Sequence, residues 1–421
     1  MNGKRSPHKS DGIWTRGINY MGKEEVTMKR KVTILIKTVG LIGLTFSLLL
    51  FAEGKPLGAA EPIKIGAVLA ITGWAGSFGT PQKEGITIVA EEANRRGGVL
   101  GRPIEVYFED DQSNPTNSAI AATKLIRDKK VSFIIGSTLT VFCMAMIPIC
   151  EREQVPNIAS GTGHEITVPL KKWIFRLPLS DYRSSPTMLK FAVHTLGARK
   201  IALLHSTDAS GVMGAKGITE NIDKYGASIV ITEGFDPKDT NMIPQLTKVK
   251  AAQPDAVILY TNAAAASVIA KNYHQLGMET PLIACHAIPT PEFMKLAGKT
   301  VEGGRWIIFG VKDRYADKLP PDDPYRKNLW DPIKKTLKER YGKTEISPFH
   351  LNAHDAMRIV IEALKIAGTD DRTALRDAME KVRYQGLIGD FAYSPTDHDG
   401  QSGENEEPLI IKDGEFWPYK K

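Results

Sequence analysis

Cysteine is scarce in this chain. Three thiols occur in 421 residues, Cys143, Cys150 and Cys285, with no CxxC spacing among them, so neither a disulfide framework nor a cysteine-built metal site is expected. Cys143 and Cys150 are seven apart in a helical stretch, where two turns set them about 10 Å apart, too far for a regular disulfide. Buried thiols are the simpler reading. A nucleophile elbow of the GxSxG type and a Gly-rich phosphate loop ending in Lys are both missing, and with them the commonest signatures of exported hydrolases and nucleotide-binding enzymes. The formal charge of +7 is an uneven one: residues 1–60 carry ten basic and four acidic side chains, and the remainder carries 45 against 44. A nearly neutral body gives a polyanion nothing to hold, so a nucleic-acid partner is not expected. No segment after residue 60 is apolar over the roughly 20 residues a bilayer span requires.

What is present begins with a leader. From Met28 the chain reads Met-Lys-Arg-Lys, then an apolar run from Val39 to Ala52, then Pro56-Leu57-Gly58-Ala59-Ala60. A basic start, an apolar middle and small residues at Gly58 and Ala60 predict a secretory signal peptide over 28–60, cleaved after Ala60. A membrane anchor is the rival reading, but the apolar run is short and Glu53 and Lys55 follow it directly. Residues 1–27 are then an upstream extension from a misplaced start or an unusually long basic region. The leader has no Cys for lipid attachment.

The length and the 42% hydrophobic content suit two or three globular domains. Ile63–Leu69 is an apolar strand signal, and the Gly-rich stretch Thr72-Gly73-Trp74-Ala75-Gly76-Ser77-Phe78-Gly79 reads as a loop. Thr80-Pro81 predicts a helix start, since Thr caps free amides and Pro suits the first helical position. Strands over 104–108 and 131–135 follow, separated by the acidic turn Glu109-Asp110-Asp111 and a helix opened by Asn114-Pro115. The βαβαβ order predicts a parallel sheet with helices on both faces. The same order recurs from about residue 199: strand 200–205, loop Asp208-Ala209-Ser210-Gly211, helix to Gly226, strand 228–231, an acidic turn and helix over Asp236-Pro237 to Lys250, and strand 256–260. The segment Phe175 to Asp181 joins the halves. Open parallel sheets bind ligands beyond the carboxyl ends of their strands, so two lobes facing one another predict a closable cleft.

Several segments carry a family resemblance. They include Ile63-Lys64-Ile65-Gly66, Thr72-Gly73 to Phe78-Gly79, Asn94-Arg95-Arg96-Gly97-Gly98-Val99-Leu100-Gly101-Arg102-Pro103-Ile104, Asp110-Asp111 to Asn114-Pro115, Ile134-Ile135-Gly136-Ser137, Val155-Pro156-Asn157-Ile158 and Phe175-Arg176. In the second half, Pro254-Asp255-Ala256-Val257, Gly277 with Pro281-Leu282-Ile283, and Val301-Glu302-Gly303 continue the series. Together, over nearly all of 61–419, the chain resembles the branched-chain amino-acid-binding family of periplasmic solute receptors that serve ABC importers. The resemblance implies a type I periplasmic binding protein fold: α/β, two Rossmann-like lobes with parallel sheets, and three crossings between lobes. Crossings near Leu179, Val311 and Tyr393 would make lobe one 61–179 plus 312–393, and lobe two 180–311 plus 394–421. It also implies a periplasmic, monomeric, non-enzymatic protein without a cofactor, whose partners are a small solute and a membrane permease.

The ligand-binding expectations divide between lobes. The loops Ser137-Thr138-Leu139-Thr140 and Ser160-Gly161-Thr162 offer hydroxyls and backbone amides at helix starts, which suit a carboxylate, and in similar proteins these loops hold one. Helix capping is the plain alternative for each Ser or Thr. Trp74 and Phe78 are expected to touch the ligand's apolar body, or else simply to pack. In lobe two, Ser210 stands where many relatives have an aromatic, Asn262 follows Tyr260-Thr261, and Cys285-His286-Ala287 stands where α-amino-acid binders tend to carry an acid. An ammonium buried without a carboxylate is costly, so the expected ligand is a small carboxylate lacking that ammonium, such as an aromatic or short-chain acid, or an amide. His286 is a hydrogen-bond donor to such a ligand or a structural residue.

The other constellations read plainly. His350 and His354 have the i, i+4 spacing of a metal pair but no third ligand, so no metal is expected. The pairs Glu91-Glu92, Asp110-Asp111 and Asp322-Asp323 read as solvated faces or turns. Three functional classes follow: a transport receptor, a periplasmic sensing receptor of the same fold, and an exported α/β enzyme, for which no nucleophile and base are evident.

Overall fold

The computed structural model describes residues 61–420. The leader expected over 28–60, with its cleavage site, lies outside them. The first sheet has the order β2-β1-β3-β4-β5 and is parallel throughout: β1 (Ile63–Leu69), β2 (Ile104–Asp110), β3 (Phe133–Gly136), β4 (Asn157–Ala159) and β5 (Ile174–Arg176). Helices α1 (Gly76–Arg95), α2 (Pro115–Arg127) and α3 (Thr140–Glu153) connect its strands. After β5 comes α4 (Asp181–Lys190), then β6 (Lys200–Ser206), α5 (Ala209–Asn221), β7 (Ser228–Phe235), α6 (Ile243–Ala251), β8 (Ala256–Tyr260), α7 (Ala263–Gln275), β9 (Leu282–Ala284), α8 (Pro291–Ala297) and β10 (Trp306–Gly310). The chain then forms α9 (Asp331–Tyr341), α10 (Pro348–Ala367), α11 (Arg372–Met379), the short hairpin β11 (Arg383–Gln385) with β12 (Asp390–Ala392), and finally β13 (Glu407–Lys412) and β14 (Glu415–Pro418).

Burial sorts these elements into two bodies. One core joins β1, β3, α1 and α10 with the β12 residues Phe391 and nearby Tyr393, and a second apolar cluster, with Ala122, Leu125, Met146 and Ile174, covers the other face of the same sheet. A separate core joins α4 through β10 and takes in Leu409 and Ile411 of β13. The chain therefore passes between cores three times: after β5, after β10, and between β12 and β13. The fold is α/β with two lobes.

Several local differences from the sequence expectations have physical causes. The Gly-rich stretch is not all loop, because α1 begins at Gly76, so Phe78 is helical and Pro81 lies inside the helix. Gly79 permits this early start. A Cβ there would stand 2.1 Å from the Ala70 carbonyl oxygen, and without it the helix leans directly on the end of β1. Ser210 is likewise helical, in the first turn of α5 behind the Asp208 cap. By contrast, α6 follows the expected turn at 236–239 and starts at Ile243. The second sheet, β14-β13-β10-β9-β8-β6-β7, is parallel from β10 to β7 but ends in two antiparallel strands. The two-residue link Asp413-Gly414 has positive φ at both positions, 54° and 72°, the conformation a tight hairpin turn demands and that Asp-Gly tolerates well.

Candidate functional site

The carboxyl ends of the lobe-one strands are wired together from within. Asp110, at the end of β2, receives the amides of Ile71 (3.0 Å) and Thr72 (3.1 Å) and the Thr72 hydroxyl (2.6 Å), and these donors hold its carboxyl below the usual range despite some burial. Asp111 is fully enclosed and is no solvated turn residue: it accepts from Ser137 Oγ (2.6 Å), Ser118 Oγ (3.0 Å) and the Ser113 amide (2.9 Å). This has a consequence for the first hydroxyl loop. Ser137 donates its single proton to Asp111 and accepts from the Thr138 amide (2.6 Å). Thr138 donates to Gln82 (2.7 Å) and accepts from the Ala70 amide (2.9 Å). Both are completely buried, and neither hydroxyl has a proton left for a ligand, because each carries only one.

The second loop is different. Ser160 is 6% exposed and its Oγ has no partner. Gly161 is boxed in, since a Cβ would lie 2.7 Å from Thr140 Cα and N. Thr140 Oγ1 accepts from the Gly163 amide (3.0 Å), which leaves its own proton free. Trp74 is 68% exposed and tilts against Phe142, ring centroids 5.9 Å apart. Phe78 is half-buried and stacks on Phe349 of α10 at 4.7 Å.

In lobe two, Asn262 is an exposed cap of α7, its side chain accepting from the Ala265 amide (3.0 Å). Its carbonyl is thereby committed to the helix. Asp208 does the same for α5 through the Gly211 amide (2.9 Å). Just beyond the end of β9, His286 lies with Nδ1 2.9 Å from Glu406 and Nε2 3.6 Å from Asp181. Burial would lower the imidazole's pKa, but Glu406 and then Asp181 outweigh it and the net displacement is upward. Asp181 is 2% exposed with no hydrogen bond at either carboxylate oxygen, and burial drives its carboxyl upward against the opposing fields of His286 and Arg176.

A cavity of about 140 Å³ opens between these two sets of strand ends. Thr162, Leu179 and Asn352 of α10 border it from the first lobe's side, His286 and Gly310 from the second, and Glu406 from the third crossing. Larger hollows, of about 460 and 940 Å³, lie along the flank of the crossings and hold none of the strand-end hydroxyls. Thr162 and His286 thus meet at one cavity. Thr162 and Ser210 also flank the Asp181 carboxylate from opposite lobes. Ser137 and Thr138 are supports beneath that wall, and Asn262 stands at a helix end.

The expectation that a ligand ammonium would find no carboxylate is overturned. Position 286 holds a histidine, but Asp181, Asp313 and Glu406, all buried, bring carboxylates to the same place from other elements. In the sequence Asp181 was legible only as the end of the segment joining the halves; it opens α4. Glu406 and Asp313 had no local signal, because only the return of the chain through its crossings brings them here.

A hinge cluster lies behind the cavity. Arg176 is fully buried, donates to the carbonyls of Gly163 (2.8 Å) and Thr162 (3.3 Å), and pairs with Asp399. Asp399 also receives Arg183 Nε (2.6 Å) and the Thr167 hydroxyl. The His pair in α10 has separate duties: His350 accepts from the Ser347 amide (3.0 Å) and contacts Glu84 (2.9 Å), and His354 faces Asp355. The three thiols are free and buried, and burial pushes each up to about 12. No helix among the described residues is long and apolar enough to cross a membrane.

Comparison with known proteins agrees with this architecture. A family model described as periplasmic binding protein matches residues 62–403. Among curated proteins, the chain is 24% identical over 346 residues to a Leu/Ile/Val-binding protein homolog of Brucella melitensis, covering 82% of this chain and 90% of that one. It is also 24% identical to the leucine-, isoleucine-, valine-, threonine- and alanine-binding protein of Pseudomonas aeruginosa, covering 80% and 86%. Among solved structures, an extracellular ligand-binding receptor from Rhodopseudomonas palustris superposes with a TM-score of 0.72 at 26% identity, over 85% of this chain and 99% of that one. A leucine binding protein from Thermotoga maritima gives 0.68 at 25% identity, over 85% and 98%. With two lobes, three crossings and a cavity between the strand ends, the chain belongs to the periplasmic binding protein family.

Proposed function

We propose that the protein is the solute-receiving component of an ABC importer of the branched-chain amino-acid uptake type. It is exported to the periplasm behind a cleaved leader, acts as a monomer, encloses one small solute between its lobes, and presents the closed form to a membrane permease. The observation that supports this best is the cavity bordered by strand ends of both sheets, the place where parallel α/β sheets receive ligands. The walls suit this use. Thr162 and His286 border the cavity itself; Trp74 and Phe78 are assigned apolar contact, and Ser160, Gly161 and Thr140 amides and hydroxyls, from their place beyond the lobe-one strand ends. Opposite them, Ser210 and His286 stand on lobe two. Closure requires the solute to bind the closed form better than the open one, which contacts to both walls provide.

The solute range under this reading covers amino acids, short-chain or aromatic acids and amides. Thermal-shift screening of such a panel, followed by small-angle scattering on each hit, tests it. A true solute raises the melting temperature by mass action and reduces the radius of gyration. Hits that stabilise without compaction, or a panel with no hits, would refute the clamp.

A further inference from the structure

A hollow of about 940 Å³ lies outside the cleft, between lobe two and the third crossing, within the size range of small-molecule sites. Burial orders its walls. Phe191, Phe309 and Glu406 are 7%, 1% and 6% exposed and form the enclosed end, whereas Lys190, His194, Ser402 and Glu404 are exposed and form the mouth. The aromatic wall is already assembled: Phe191 meets Phe309 edge-on at 5.7 Å and Tyr419 at 5.2 Å between ring centroids. Phe191 also opens a π-type helical turn, Phe191–Thr195, that continues α4, and Phe191, His194 and Thr195 of that turn all line the hollow. Such turns are rare and occur frequently at functional sites.

Glu406 gives this hollow its chemistry. It is the one buried ionisable side chain on these walls. Its Oε1 stands 2.9 Å from His286 Nδ1 without closing a hydrogen bond, and its Oε2 has no partner at all. An enclosed carboxylate short of donors is costly. Glu404 adds a second carboxylate at the mouth, against Lys190 as the single fixed positive charge, and aromatic faces attract cations further. We propose that the hollow is a second ligand site, for an organic cation with an aromatic or bulky apolar body, whose protonated nitrogen reaches Glu406 while the body lies against Phe191, Phe309 and Tyr419. An anion of the same shape is repelled by Glu404 and Glu406. The site stands apart from the cleft and does not rest on the solute-receptor reading. It nevertheless touches the cleft, because Glu406 borders both cavities and His286 lies on the cleft side. The cation competes with His286 for one carboxylate, so its arrival alters the cleft wall, and by linkage a cleft occupant that alters Glu406 changes affinity at the flank by the same factor.

Titration calorimetry on the full-length protein tests this with indoles of one shape and different charge: tryptamine, 3-ethylindole and indole-3-propionate. Tryptamine should bind at least about tenfold more tightly than 3-ethylindole, the worth of one charge-assisted contact, and indole-3-propionate more weakly than either. Ser402→Trp fills the mouth from an exposed position that does not border the cleft cavity. It should weaken tryptamine by a similar factor while leaving the melting temperature and the cleft's thermal-shift hits unchanged. Should that variant not fold, Lys190→Trp fills the mouth from the opposite wall. In carbon-13 histidine spectra, the His286 ring resonance, assigned by its loss in His286→Gln, should move as tryptamine binds to the unmodified protein and stay in place with Ser402→Trp. Absence of tryptamine binding, equal binding by indole-3-propionate, or undiminished binding to the mouth-filled variant overturns the site and leaves the clamp intact. A stationary His286 resonance during tryptamine binding overturns the coupling to the cleft.

Discussion

Replacing Asp399 with Asn tests how the two lobes are tied. Asp399 lies in the third crossing and is 2% exposed; its carboxylate takes Arg176 of β5, Arg183 of α4 and the Thr167 hydroxyl. Arg176 is completely enclosed and retains only the carbonyls of Gly163 and Thr162 once the carboxylate is gone. Leaving a buried charge without its partner costs about 3–5 kcal/mol. The opposite change, Arg176→Met, is predicted to be milder. Asp399 keeps Arg183 at 2.6 Å and Thr167, and the main casualty is the Gly163 carbonyl, a loss of about 1–3 kcal/mol. The two effects should not add, because both variants remove the same pair. Urea unfolding followed by tryptophan fluorescence measures all three proteins, with stability read from midpoint shifts at constant slope. The reasoning is refuted if Arg176→Met costs as much as Asp399→Asn, or if each costs less than about 1 kcal/mol.

The hydroxyls of lobe one should separate by role. Thr138→Val strands the Ala70 amide and the Gln82 carbonyl, about 1–3 kcal/mol in a chemical denaturation series, whereas Ser160→Ala removes an unpartnered group and should leave the empty protein's stability within about 0.5 kcal/mol or raise it, while weakening solute binding. Equal destabilisation by both would contradict the assignment. His286 has a raised value in the folded state, so its stabilising contribution is complete below the unfolded value of about 6.5 and is lost as pH rises through the folded one. The stability gap between the unmodified protein and His286→Gln, followed by thermal melts from about pH 6 upward, should narrow with rising pH; a widening gap would show the sign to be wrong.

The alternation of short apolar strands with capped helices sufficed for the fold class, because burial period and capping are local properties of the chain. Asn114-Pro115 is an example: Asn114 caps α2, its side chain receiving the Thr116 amide at 2.8 Å. The order of motifs also sufficed for the family. Ser160, Gly161, Thr162 and His286 could be singled out because each follows a recognisable strand, and strand ends are where such sheets bind.

Availability of those groups was a tertiary matter. A hydroxyl's single proton goes to whichever acceptor the fold brings near, and Ser137 and Thr138 spend theirs on Asp111 and Gln82, 26 and 56 residues away. The electrostatics of the cavity were equally hidden. Asp181, His286 and Glu406 are separated by more than a hundred residues at each step and share no local pattern. Only the three crossings of the chain bring them within about one hydrogen-bond length or a little more, and charge balance in an enclosed space depends on the sum of what is gathered there, which no stretch of sequence states by itself.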